Sequence, residues 1–281
     1  MPTARPFRRR GPMGPRWTAV LLALLTACAG GVDLLSVVVL GGVFSGVITG
    51  DLIHVGHGLG TAAWGAAGTA AAAIGGFGAG VAVWTRIVTP PLTAPANTGA
   101  DTGARTSASA GAGPGAGTGA GAGADASTDA SGGENTAVTR DGQPTARHVT
   151  GALIAEVALL AAFTVGWALV AGRPGSTPAQ IALLVTAAVA MGGQSALARV
   201  LGGSTTYLTG TFTAAIATLA TGGPAAAVLN PLVRPASLLL GAVAATLVLT
   251  AAPWAAALVP MACVTAALLW RCARPRQEGG D

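Results

Sequence analysis

Two acidic residues sit deep inside long apolar runs: Asp33 in AGGVDLLSVVVLGGVF and Glu156 in HVTGALIAEVALLAAFTVGW. An ionised carboxylate at the centre of a hydrocarbon layer costs roughly 2.5–3.5 kcal/mol on insertion scales. Each acid is therefore expected to have a task or a partner. Asp33 suits an ion or proton site. It equally suits the cap of a half-helix that starts at Leu34 after a break at Gly30-Gly31, its carboxylate taking free backbone N–H groups. Glu156 suits a proton relay, a pairing with Arg199, or protonation in place. Gln194, in a second run with a Gly pair, is neutral and expected to hydrogen-bond between helices.

A second set of polar residues gathers around two TG steps. Thr49-Gly50 and Thr209-Gly210 either expose backbone to a ligand or let helices approach, with packing favoured. Asp51, His54 and His57 are spaced by three and would line one strip of a helix. They lack a fourth ligand and supporting hydrogen bonds, so a hydrated outer mouth is expected there rather than a metal site. Cys28, Cys263 and Cys272 form no CxxC pair, and the chain has no P-loop, nucleophile elbow, zinc-protease helix or paired catalytic carboxylates. No enzymatic activity, cofactor or metal is expected.

The elements that must hold these residues are membrane spans. With 52% hydrophobic and 9% charged residues and a mean hydropathy of +0.63, the chain cannot make a soluble surface. Residues 1–16 form a basic tail and residues 274–281 a second short tail. The first membrane part, 17–86, contains spans at about 17–44 and 63–85. Residues 87–147, rich in Gly, Ala and Thr, lack the apolar surface to fold and form a linker. The second part, 148–273, contains spans at about 148–172, 179–203, 235–251 and 254–270. A lipoprotein signal cleaved before Cys28 is disfavoured, because the chain stays apolar beyond it. All six Trp residues fall at or near expected span ends, as an interfacial belt requires.

Residues 29–51, AGGVDLLSVVVLGGVFSGVITGD, return in shortened form as MGGQSALARVLGGSTTYLTGT at 191–211. Both run GG, a polar residue, LGG, then TG. The 15 basic residues are all Arg, and their positions arbitrate whether the short segments 45–61 and 204–222 cross. With six spans and the N-terminus inside, every Arg except Arg173 is cytoplasmic; with eight, the split is ten to five. Six spans are favoured. The expected architecture is thus all-α and polytopic, two inverted three-helix repeats with short re-entrant or interfacial TG segments, lying in the cell membrane with both termini cytoplasmic. Expected partners are membrane lipids and a small solute or ion, with no nucleic acid; a homo-oligomer stays open.

GGVDLLSVVVLGGVFSGVITGD and AMGGQSALARVLGGSTTYLTGTFT together resemble the two signature blocks of the YoaK-like family of bacterial integral-membrane proteins, over most of the chain outside the tail and linker. The family has no established function, so the resemblance implies topology and membrane location. This chain departs in reading Thr49-Gly50-Asp51 where the family reads TGN, and in its long insert. The function expected is a secondary transporter or permease of a small solute, with proton coupling through Asp33 and Glu156 as an option. The alternative is a non-transporting scaffold that binds a protein or lipid.

Overall fold

Apolar runs in a non-aqueous layer must satisfy their own backbone groups, which forces them into helices. The computed structural model describes residues 15–88, 146–203, 208–222 and 224–273. Eight α-helices lie within these residues: α1 (Pro15–Val39), α2 (Ile48–Gly60), α3 (Trp64–Val88), α4 (Ala146–Leu169), α5 (Thr177–Val200), α6 (Leu208–Ala220), α7 (Ala225–Ala251) and α8 (Leu258–Cys272). A 3-10 turn, Pro253–Ala255, precedes α8. The linker expected at 87–147 and the two tails fall mostly outside the described residues. Six helices are long and apolar enough to cross a membrane, and α2 and α6 are not among them. Each of those two has 13 residues, about 20 Å of helix against the ~30 Å of a hydrocarbon core.

The LGG steps end helices. Gly41 and Gly42 have φ of +109° and +77°, and Gly202 has +74°. After α5 the Gly203 N–H reaches back to the Ala198 carbonyl and Gly202 N–H to Arg199, so the orphan carbonyls of the last turn are bound. Of the tilt or break expected of the long first span near Gly30-Gly31, the break does not occur: α1 is continuous to Val39, and the chain leaves the helix at Leu40. Nor is there a half-helix starting at Leu34 for Asp33 to cap.

Gly30 and Gly31 serve packing instead. A Cβ at Gly30 would strike the Leu238 carbonyl of α7, and one at Gly241 would strike the Ala27 carbonyl of α1. The same contact recurs between α5 and α3, where a Cβ at Gly192 would strike the Phe77 carbonyl and one at Gly80 the Val189 carbonyl. Backbone thus lies on backbone at both crossings, as small residues allow in lipid. α3 and α5 run parallel, since Gly76 meets Val185 and Ala188 while Gly193 meets Trp84.

Trp17 and Trp270 stack at 4.4 Å, placing the start of α1 beside the end of α8. The end of α4 meets the start of α8, where Thr164 Oγ1 donates to the Ala257 carbonyl at 3.2 Å and Trp167 Nε1 to the Pro253 carbonyl at 2.8 Å. α4 and α8 are therefore antiparallel. Trp167 is fully buried, and Trp84 is buried with its indole N–H on the Ala152 carbonyl at 3.3 Å. These two Trp residues pin helices together rather than face an interface, a correction to the belt expected of all six.

Adding one methyl at a crossing separates this packing role from helix propensity. Gly241→Ala should lower the melting temperature in detergent, with a loss of about 1–3 kcal/mol from overpacking against Ala27. Gly78→Ala, where nothing lies within 4 Å, should be neutral or raise stability by about 0.5–1 kcal/mol. Equal behaviour of the two variants would contradict the close crossing.

Candidate functional site

Asp33 lies two turns before the end of α1 and turns toward the segment that follows. Its Oδ1 accepts three hydrogen bonds, from Ser45 N (3.0 Å), Ser45 Oγ (2.7 Å) and Gly46 N (2.8 Å). Asp51, in the first turn of α2, accepts from Phe44 N at 2.8 Å. Three consecutive backbone N–H groups, of Phe44, Ser45 and Gly46, are thus held by two carboxylates. Ser45 and Gly46 are buried, and a buried backbone N–H outside a helix needs such a partner. The carboxylates also stand at the N-terminal approach of α2, where its dipole favours negative charge. Gly46 has Asp33 within 3.4 Å and Met191 within 3.6 Å of its virtual Cβ, so the segment is wedged between α1 and the second GG motif on α5.

The TG residues do not converge on this carboxylate pair. Thr49 is exposed, and Gly50 makes room for the Phe44 ring, 3.1 Å from its virtual Cβ. Thr209 and Gly210 are exposed at the start of α6, with nothing within 4 Å of the Gly210 position. His54 and His57 are exposed on α2. Among the described residues no three His, Cys, Asp or Glu side chains are grouped to hold a metal ion. An open cleft at the same end of the bundle is lined by Val38, Val39, Gly172, Arg173, Leu249 and Pro253.

A second polar group lies in the middle of the bundle. Gln194 Nε2 donates to the Leu25 carbonyl of α1 at 2.9 Å, crossing between halves of the chain as an interhelical bond. Glu156, fully buried on α4, lies beside the Gln194 side chain. Neither Glu156 oxygen has a hydrogen-bond partner, so the expected pairing with Arg199 is not made. Gln194 Oε1 is likewise without a partner. Cys28 is fully buried in α1 next to both, with Cys263 of α8 close to it. Asp33 and Gln194 occupy corresponding positions in the two copies of the motif, yet Asp33 binds its own following segment and Gln194 binds the opposite half. Sequence reasoning missed the role of Phe44, Ser45 and Gly46; the signal was the VFSG step between two acids, Asp33 and Asp51.

Two consequences can be measured. Asn at 33 keeps an oxygen in the Oδ1 position, so Asp33→Asn should retain near-native stability, while Asp33→Ala strands the Ser45 and Gly46 donors and should lose about 1–3 kcal/mol in thermal unfolding. Equal losses would exclude the anchoring role. Burial pushes the Asp51 carboxyl from 3.8 up to about 6; the Phe44 N–H opposes this, nearby Asp33 adds to it and His54 opposes it. The fold then favours the protonated acid, so the contribution of Asp51 to stability is complete below the ordinary carboxylate value and is lost as pH rises through about 6. The protection of residues 40–47 against hydrogen exchange, relative to the intrinsic rate at each pH, should fall between about pH 4 and about pH 7, and Asp51→Asn should flatten that fall. An unchanged profile in the variant would assign the effect elsewhere.

The residues that build both polar groups lie within residues 21–108 and 128–270, which match the family described as "Protein of unknown function (DUF1275)". No curated protein and no solved structure matches the chain. The match is to this family as a whole and does not carry the narrower YoaK-like name. By a match that spans most of its length, the chain belongs to the DUF1275 protein family.

Proposed function

We propose that the protein is a secondary transporter or permease of a small solute, built as two inverted repeats and coupled to protons. The observation that carries the proposal is the non-helical segment 40–47, anchored by the half-buried Asp33 and the buried Asp51 and wedged against α5. Interrupted backbone at membrane depth, placed where two repeats meet, is how many transporters expose backbone groups to cargo and coupling ions.

The repeat reading has its own support. α1, α2, α3 and α4 follow the same order of long, short, long, long as α5, α6, α7 and α8, with α8 taken together with the 3-10 turn that leads into it as Pro253–Cys272. The glycine crossings exchange partners between the halves, α1 with α7 and α5 with α3. Each quartet holds three helices of spanning length, and an odd number inverts the second copy relative to the first. Arg86, Arg147, Arg199, Arg234 and Arg271 then fall at the same end of the bundle as the N-terminus, and Arg173 at the other. By the positive-inside rule that end is cytoplasmic, with both termini inside the cell membrane. The proposal involves lipids and one small solute or ion, with no catalytic step.

In proteoliposomes holding a pH-sensitive dye, addition of a transported solute from a panel should move protons, and an imposed pH gradient should drive solute uptake. Asp33→Asn, folded but without the titratable charge, should lose the gradient-driven part at least tenfold. A fully active Asp33→Asn protein would end the coupling role of Asp33. Absence of flux for every solute and gradient, with a protein or lipid that co-purifies in fixed ratio, would favour the scaffold.

A further inference from the structure

We infer that Glu156 is a proton-binding site, occupied in this conformation, where the neutral carboxylic acid gives its hydrogen to Gln194 Oε1 and so joins α4 to the α1–α5 contact. The inference follows from counting donors and acceptors. Glu156 Oε1, Glu156 Oε2 and Gln194 Oε1 are three buried oxygens without partners, gathered around one side-chain pair. The orientation of the Gln194 amide is fixed by its other bond, because the Leu25 carbonyl can only accept and therefore takes the Nε2 end. That leaves one amide hydrogen and the weak S–H donor of Cys28 for three oxygens. As a carboxylate, Glu156 would add a charge and no donor in a site closed to water. As an acid it supplies the missing donor and removes the charge, the cheaper arrangement where a buried polar group must be bonded.

The surroundings favour a proton over a fixed countercharge. α1 faces the pair with Cys28, and α8 brings Cys263 beside Cys28. Asp33 lies farther along α1 and is bound to Ser45 and Gly46. α3 packs on α4 through Trp84, whose indole is already given to the Ala152 carbonyl. The Arg residues of the packing helices, Arg86, Arg147, Arg199 and Arg271, sit in terminal turns, whereas Glu156 is near the middle of α4. Release returns the proton to bulk water and leaves a carboxylate with no compensating cation, so it must loosen the Gln194 contact or admit water. The proton's part in coupled transport rests on the proposed function; its presence on Glu156 does not.

Infrared spectroscopy of the purified protein in lipid nanodiscs, without solute, tests occupancy directly. At neutral pH the wild type should show the C=O stretching band of a protonated, buried carboxylic acid. Glu156→Gln should abolish the band, and Gln194→Leu should shift it, because the acceptor is gone. Glu156→Gln mimics the neutral acid and should keep the wild-type melting temperature, which separates loss of the band from misfolding. Replacing sodium by potassium or choline should leave the band unchanged. A spectrum in which Glu156→Gln removes nothing would overturn the site, and a band that appears only when sodium is withdrawn would overturn the proton as its occupant. Either result can be obtained whether or not the protein carries solute, so failure here and failure of the transport proposal are distinguishable.

Discussion

Everything in this fold depends on two places where helix backbones touch. In lipid, apolar side chains gain little by leaving one hydrocarbon environment for another, so helices hold together through close van der Waals packing and scattered polar bonds. Gly30 and Gly241 bring α1 onto α7, and Gly80 and Gly192 bring α3 onto α5. At each crossing a carbonyl occupies the space a Cβ would need. The glycines weaken their helices as isolated elements, by about 1 kcal/mol each relative to Ala, and the contact they permit offsets that cost.

Those crossings decide where the polar residues can go. With α5 drawn against α3, Gln194 faces α1 and Met191 faces the segment after it, which is confined beside them. That segment has no helical hydrogen bonds for Phe44, Ser45 and Gly46, and two acids replace them. Oδ1 of Asp33 thereby takes three donors, which answers the cost of holding a polar side chain in an apolar run. Glu156 has no such set, and its neutral form is the one that suits its surroundings. Two acids within apolar runs of one chain thus meet the same physical problem in opposite ways. One is solvated by backbone and the other by a proton.

Membership of the DUF1275 family brings no chemistry with it, so function has to be argued from these two acids and the elements that carry them. The short helices α2 and α6 fit the same frame. Each comes after an LGG step, carries a TG step in its first turn, and is too short to be counted among the spanning helices. Gly50 makes local room for Phe44, whereas nothing lies within 4 Å of the Gly210 position.

Much of the architecture was legible in the chain. Six apolar runs long enough to span, two polar Gly-rich segments too short to do so, and the recurrence of GG, LGG and TG all follow from hydropathy, length and the backbone freedom of glycine, which are local properties. The same sequence pointed to Asp33, Glu156 and Gln194, because a polar group in hydrocarbon is conspicuous whatever surrounds it. It allowed a break in the first span at Gly30-Gly31, where the helix instead runs on to Val39, since a Gly pair has the same appearance in a break and in a helix crossing. It also left Trp84 and Trp167 in an interfacial belt, although both are buried. What only the tertiary structure decided is which helix faces which, and hence that Asp33 holds Ser45 and Gly46, that Gln194 reaches Leu25, and that Glu156 has no Arg199. The reason is physical: lipid and protein interior are equally apolar, so the hydrophobic pattern that orients a helix in a soluble protein carries little information about partners here.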